Sequence, residues 1–310
     1  MVALCAVAIV PVATSARDSG PRIERGALFV NMRGSEAAAS YQIGRYERGI
    51  PVPFGPVAVA ASDACHLWSP SVIRSRGKVW LFAAEHDCRG WYRVVLYTSN
   101  DGLRFNRRAI VFETKDQLRT PLVVVDGKDF HLWYTIDRGG LGRALAYADS
   151  RDGLRFVQRG VKLWAGPLTT LAVADVFRLG SGWRLLVQGY NPELTEAEPH
   201  LVAFADPRQR TYRYVAPLRL EKAAPKIDAS YVCRTTEGRW RGLFTAFGAT
   251  GDLFAFEWTV AYKAPSLLGP WTVDRDAPTP YLQLWNGGAK ASVENPTPVR
   301  ADAGLATCSR

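Results

Sequence analysis

Two stretches of the chain are near copies of each other, TSNDGLRF at 98–105 and DSRDGLRF at 149–156. Aligning Asp101 with Asp152 sets a period of 152 − 101 = 51 residues. Each copy ends a run of alternating apolar residues, VVLYTS in the first and ALAYADS in the second. Each then leads through a short basic stretch into another strand-like run, AIVF or VKLW. Alternation with period two marks half-buried strands. A strand unit repeated at this period marks the blade of a β-propeller and not a solenoid of helix pairs. Small propellers carry their chemistry on the central axis, at the mouth of the innermost strands.

Four units can be laid out as four strands each. Residues 66–113 read WSPSVI, KVWLFAAE, YRVVLYTS and RAIVF, and 119–165 read TPLVVV, FHLWYTI, RALAYADS and GVKLW. The third and fourth units cover 172–220 and 226–284. The N-terminal part has no inner strand: GALFVNM, SYQIGRYERG and PVAVAA align with the second, third and fourth strands of the other units. SVENPTPVR at 292–300 supplies the missing one. The expectation is an all-β, five-bladed β-propeller whose first blade is closed by strands from both chain ends, which removes free sheet edges. It would form one domain over 17–310, leaving the tail GLATCSR as a partial extra strand or the sign of a truncated reading frame.

The opening MVALCAVAIVPVATSA is apolar and closes on Thr14, Ser15 and Ala16, as a secretory signal peptide over 1–16 would, although it lacks a basic start. The run is too short for a membrane anchor, so export to a secreted or periplasmic location is expected, with no membrane insertion after signal removal. Export permits disulfides. The hairpin turning at Arg76-Gly77 pairs residues whose numbers sum to about 153, and Cys65 plus Cys88 also sum to 153. A bridge between them is expected, two buried free thiols being the alternative. Cys233 and Cys308 show no comparable relation. The net charge of +10 comes from scattered arginines. Nothing resembles a groove-reading helix or an aromatic RNA platform, so no nucleic-acid partner is expected. An acidic polysaccharide or envelope polymer suits an exported basic protein better.

The run LWSPSVIRSRGKVWLFAAE resembles the W-A-P-x-V…G-K-Y-Y-L-Y blade opening of glycoside hydrolase family 43. SNDGLRF, SRDGLRF and APSLLGPW resemble that superfamily's outer-strand motif, S-x-D-G-x-x-W or S-x-x-G-P-W. The resemblance implies the five-bladed fold of arabinanases, xylosidases, invertases and levansucrases. It also implies three acids on inner strands around the axis. The five inner strands here start at Trp68-Ser69-Pro70, Arg119-Thr120-Pro121, Ala174-Asp175-Val176, Ile227-Asp228-Ala229 and Glu294-Asn295-Pro296. By type and order Asp175, Asp228 and Glu294 match the Asp–Asp–Glu set of the invertase branch. Glu294 would be the general acid, Asp175 the base or nucleophile and Asp228 the orienting carboxylate. Family 43 carries further acids where Trp68-Ser69-Pro70 and Arg119-Thr120-Pro121 stand here. Acids at strand starts also serve as turn and capping residues.

Asp63, His66, Trp68, Glu85, His86 and Asp87 gather at the open end of the first full hairpin. They would bind a sugar by hydrogen bonds and indole stacking. His66, Glu85, His86 and Asp87 are also ligand types, but with four histidines in the chain no metal site and no cofactor is expected. Arg119 at an inner-strand start suits a carboxylate or sulfate, or pairing with an axial acid. No serine-hydrolase elbow, phosphate loop, dinucleotide fingerprint or CxxC pair occurs. The expected function is an exported, monomeric glycoside hydrolase-like protein acting on a poly- or oligosaccharide, a furanoside or acidic glycan among the targets. The alternative is a propeller that binds a glycan or envelope partner without hydrolysis.

Overall fold

A computed structural model of the chain describes residues 28–33, 42–47, 50–51, 66–102, 104–137, 143–165, 170–190, 197–222, 226–247, 257–277, 281–282, 284–286, 289–298, 300, 304 and 308. These residues are all-β. The strands run β1 (Leu28–Arg33), β2 (Gln42–Glu47), β3 (Ile50–Pro51), β4 (His66–Ser75), β5 (Lys78–His86), β6 (Tyr92–Ser99) and β7 (Asn106–Thr114). Then come β8 (Gln117–Asp126), β9 (Asp129–Asp137), β10 (Arg143–Ser150), β11 (Val157–Val161), β12 (Leu163–Ala165), β13 (Thr170–Leu179), β14 (Gly182–Tyr190), β15 (Ala197–Phe204) and β16 (Thr211–Pro217). The last are β17 (Lys226–Arg234), β18 (Trp240–Phe247), β19 (Glu257–Ala264), β20 (Thr272–Val273), β21 (Tyr281–Leu282), β22 (Leu284–Asn286) and β23 (Ala289–Pro298). No helix long and apolar enough to cross a membrane occurs among the described residues.

The strands pair as β4–β7, β8–β11, β12–β16, β17–β20 and a sheet ordered β22-β23-β1-β2-β3. That last sheet joins both ends of the chain: Leu28 pairs with Pro298 and Met32 with Val293. Inner strands β4, β8, β13 and β17 each contact the next, and β23 contacts both β17 and β4. The result is a β-propeller arrangement, with cores between the sheets and not within them. Phe82, Val94, Leu132 and Tyr134 pack between the first two full sheets. Trp133, Tyr147, Trp183 and Tyr212 pack between the next two, and Phe177, Phe244, Tyr262 and Trp271 follow. Ile43 packs on Leu67, Val72 and Tyr97, which ties the end sheet to its neighbour.

The repeated segment is a turn. Ser99 Oγ donates to Asp101 Oδ1 and accepts from Gly102 N, and Asp101 Oδ1 accepts from Arg104 N. Ser150, Asp152, Gly153 and Arg155 repeat the set. Gly153 has φ of 74°, and a Cβ there would lie 2.6 Å from the Trp80 ring of the preceding sheet. The glycine is therefore needed for conformation and for sheet-to-sheet packing together.

One expectation of strand layout changes. GVKLW is split: β11 stays in its own sheet, while β12 pairs in parallel with β16 of the next. Lys162 between them turns inward, donating to Gln209 O at 2.8 Å and lying 4.4 Å from the Tyr147 ring. The described tail residues are tied to three sheets. Arg300 bridges Ile73, Gly304 bridges Arg178, and Cys308 forms a disulfide with Cys233, a pairing that spacing did not reveal.

Candidate functional site

Every inner strand carries one extra residue at the same level. In β4 Trp68 pairs with Ala84 but Ser71 with Phe82; in β8 Arg119 pairs with Thr135 but Leu122 with Trp133. The same slip falls between Val173 and Asp175 in β13 and between Ala229 and Tyr231 in β17. In β23 it falls where Glu294 pairs with Asn31 and Thr297 with Phe29. Pro70 and Pro121 fit because a bulge residue needs no ladder N–H. Ser69 and Thr120 take φ of 52° and 47° there, a strained region for non-glycine residues that collects at functional positions. Bulges re-aim side chains at the mouth of a sheet.

This register decides which residues are equivalent. Just above the slip stand Trp68, Arg119, Ala172, Asp228 and Glu294, paired with Ala84, Thr135, Gln188, Thr245 and Asn31. Just below it stand Ser71, Leu122, Asp175, Tyr231 and Thr297. Asp228 thus shares a rung with Trp68, Arg119 and the Glu294 backbone. The sequence alignment put Asp175 on that rung; the structure puts Ala172 there and Asp175 below. Asp175 stands three residues past Ala172, on the far side of the bulge, and the pattern Ala174-Asp175-Val176 does not show where the bulge falls.

Asp175 is fully buried and ion-paired with Arg300. Its Oδ2 accepts from Val232 N at 2.9 Å. Ser71 is its equivalent, accepting from Val123 N at 2.8 Å on the next inner strand, so both residues lace neighbouring inner strands together. Burial raises the Asp175 pKa, while the Arg300 charge and the Val232 and Val176 N–H groups oppose it. Arg300 also donates to Val176 O at 2.6 Å and exchanges backbone bonds with Val72 and Arg74. Cys308 N donates to Arg234 O beside the disulfide. Arg300, Gly304 and Cys308 therefore meet β4, β13 and β17 in turn, each toward the strand's C-terminal end. The strand starts form the other end, the mouth.

At the mouth His66 and His86 stack with centroids 6.0 Å apart, His86 stacks on Tyr92 at 4.4 Å, and Trp68 meets Tyr92 edge-on at 6.4 Å. Below them lie half-buried Arg119, buried Asp228, Thr135 and Thr245, and buried Gln188, whose amide nitrogen has no acceptor among the described residues. Thr120 Oγ1 bonds Thr135 Oγ1 at 2.9 Å and accepts from Val173 N. Gln188 and Tyr92 were missed in the sequence. A lone amide inside the apolar run WRLLVQGY was the available signal for Gln188.

The remaining candidates have other surroundings. Glu85 is fully buried, held by Arg107 at 2.8 Å and Arg93 at 3.4 Å. Asp87 accepts from the backbones of Arg89 and Trp91 and pairs with Arg93 at 3.1 Å. For Asp87 burial pushes the pKa up, but these bonds and the Arg93 charge outweigh it and leave the carboxyl below its ordinary value. Both acids brace the hairpin end through these bonds. Asp63 and Cys65 lie outside the described residues, while Cys88 is disulfide-bonded. The hairpin numbers sum to 153 from Ser75–Lys78 to Ser71–Phe82 and to 152 beyond the bulge. His66, His86 and Cys88 offer ligand atoms within 4.8 Å of one another. An oxidised cysteine is a poor ligand, which leaves two imidazoles of this cluster as ligands among the described residues.

No protein-family model and no curated protein sequence matches the chain. Its fold is shared with solved structures. The endo-arabinase of Bacteroides thetaiotaomicron aligns at TM-score 0.55 with 15% identity, over 76% of this chain and 95% of that one. The exo-β-1,3-galactanase of Phanerochaete chrysosporium aligns at 0.51 with 13% identity, over 74% and 62%. The GH62 α-L-arabinofuranosidase of Coprinopsis cinerea aligns at 0.50 with 16% identity, over 73% of each. The chain shares their β-propeller fold.

Proposed function

We propose that the protein is an exported five-bladed β-propeller that binds a poly- or oligosaccharide at its axial mouth and hydrolyses it by carboxylate acid/base chemistry. The observation that carries this reading is the shared rung: Trp68, Arg119, Asp228 and the Glu294 backbone sit at equivalent steps of the inner strands. Aromatic rings stand above them, as sugar recognition needs an apolar face beside a few polar groups. In this reading Glu294 donates the proton to the leaving oxygen, Asp228 is the second carboxylate, and Arg119 and Trp68 hold the sugar. A base role for Asp175 requires Arg300 to leave. The five sheets and their ring of inner-strand contacts support five blades. The Cys233–Cys308 bridge and the oxidised Cys88 support export, since such bonds persist in oxidising compartments.

A second reading, glycan binding without hydrolysis, is favoured by the Asp175–Arg300 lock and by Trp68 and Arg119 standing where acids were expected. The deciding experiment screens the purified protein against aryl-glycosides, arabinan and galactan, with turnover and binding measured in parallel. Glu294→Gln should cut turnover roughly a hundredfold or more and keep binding. Full turnover in that variant removes the acid assignment. Wild-type binding with no turnover leaves the binding propeller.

A further inference from the structure

At the opposite end of β4 and β5 from the mouth, a cavity of about 490 Å³ opens between this sheet and the turn of the second DGLRF copy. Its floor is a cross-strand row, Trp80 paired with Thr98 and Thr98 with Asn106. Lys78 lies two residues along β5 from Trp80 and so shares its face, and Arg108, the extra residue of a bulge in β7, also lines the cavity. Leu154 of the neighbouring turn closes the far side. Arg76 reaches across, donating to the carbonyls of Arg151 at 2.8 Å and Asp152 at 3.2 Å.

Among the described residues no carboxylate lines this cavity. The Arg107 charge is met by Glu85. Lys78 and Arg108 are exposed and have no ion-pair partner among the described residues, and Arg76 bonds neutral carbonyls and lies 5.5 Å from the Phe130 ring and 6.0 Å from the Trp80 ring. Three uncompensated cations around a pocket with an apolar wall and two hydrogen-bonding side chains select an anionic ligand of small-molecule size. Nucleic acid fits less well. Trp80 is 7% exposed, packed by Phe130 and the Gly153 turn, so its ring is not free to stack on a base.

We propose that this cleft is a second, non-catalytic binding site for a carboxylate- or sulfate-bearing sugar of an acidic polysaccharide. It rests on the reading of the protein as carbohydrate-acting and adds the substrate's charge class. The site would hold an acidic chain on the face opposite the mouth, raising its local concentration there.

The test is calorimetric titration of the full chain with polygalacturonate, dextran sulfate, neutral dextran, inorganic sulfate and duplex DNA at physiological salt. Lys78→Gln/Arg108→Gln is compared with Arg210→Gln/Arg213→Gln, which removes two exposed charges outside the cleft. The acidic polysaccharides should bind and lose about tenfold or more affinity in the cleft variant, against less than about twofold in the control. Equal losses in both variants make the affinity a matter of net charge and overturn the proposal. So does inorganic sulfate binding as tightly as the polymers, or DNA binding more tightly with the same dependence on Lys78 and Arg108. Asp228→Asn and Glu294→Gln should leave cleft affinity unchanged. If neutral arabinan binds at the mouth while acidic polymers bind no better than dextran, only the cleft proposal fails. If no glycan binds, the parent reading fails with it.

Discussion

Arg300 and Asp175 form a buried ion pair across 125 residues of chain, joining the tail to the middle of an inner strand. The pair takes up one carboxylate oxygen, and the Val232 amide takes the other. An acid that looks catalytic by position in the sequence is thereby a brace between β13, β17 and the tail.

Removing one partner of this pair should be costly. Arg300→Met leaves the Asp175 carboxylate buried without its cation, a loss of about 3–5 kcal/mol. Burial raises the Asp175 pKa already, and losing Arg300 raises it further. A carboxyl with a raised folded pKa binds its proton more tightly folded than unfolded. The variant's deficit should therefore be smallest at low pH and grow as pH rises through the folded pKa. Urea unfolding at two pH values checks this; a pH-independent deficit would show that the Asp175 charge is not its cause.

His200 supplies a slope of the opposite sign. It is buried, its Nδ1 lies 3.2 Å from the Tyr214 hydroxyl, and burial pushes its pKa down to about 4. An unfolded histidine titrates near 6.5. Stability contributed by keeping it neutral is present above that value and lost as pH falls toward the folded pKa. His200→Gln should lose about 2 kcal/mol less than wild type between pH 7 and pH 5. Parallel slopes for the two proteins would place the acid sensitivity elsewhere.

Non-reducing peptide mapping of the protein, prepared without reductant, should find Cys233 linked to Cys308 and Cys88 linked to Cys65. Cys308→Ser opens a crosslink spanning 75 residues, a loss of about 4 kcal/mol on the loop-entropy account. The variant should also exchange the Arg74 and Arg300 amide hydrogens faster, since the tail loses its far anchor. Unchanged protection there would mean that Arg300 holds the tail unaided.

Gly153→Ala should destabilise by more than about 2 kcal/mol, because the new methyl meets the Trp80 and Phe130 rings and the backbone keeps a left-handed φ. Gly127→Ala is the control, with a positive φ and open space around the added carbon. Equal losses in thermal melts would leave conformation alone as the cause.

At the mouth, Trp68→Ala and Tyr92→Ala should each weaken glycan affinity about tenfold, with turnover falling through binding. Affinity unchanged in both would remove the aromatic cluster from the site.

Local chemistry set much of this molecule before any folding. The strand alternation in VVLYTS and ALAYADS follows from burial on one face, and the Ser-x-Asp-Gly turns close with their own side chains. Both signals lie within a few residues and survive in any context. The pairing of 28–33 with 292–298 was also legible, because one unit lacked an inner strand and another segment had that pattern to spare. Three things depended on contacts between distant parts. The bulge level decides which acid shares the rung of Trp68 and Arg119: Asp228 stands before the bulge of its strand and Asp175 after the bulge of its own. The Cys233–Cys308 bridge exists because the tail runs over the inner strands, a path that local spacing does not encode. Glu85 is an acid at a strand end by sequence, but Arg93 and Arg107 on the neighbouring strands hold it in the blade. Register slips, tail paths and ion-pair partners are relations between segments, so the tertiary structure alone decides them.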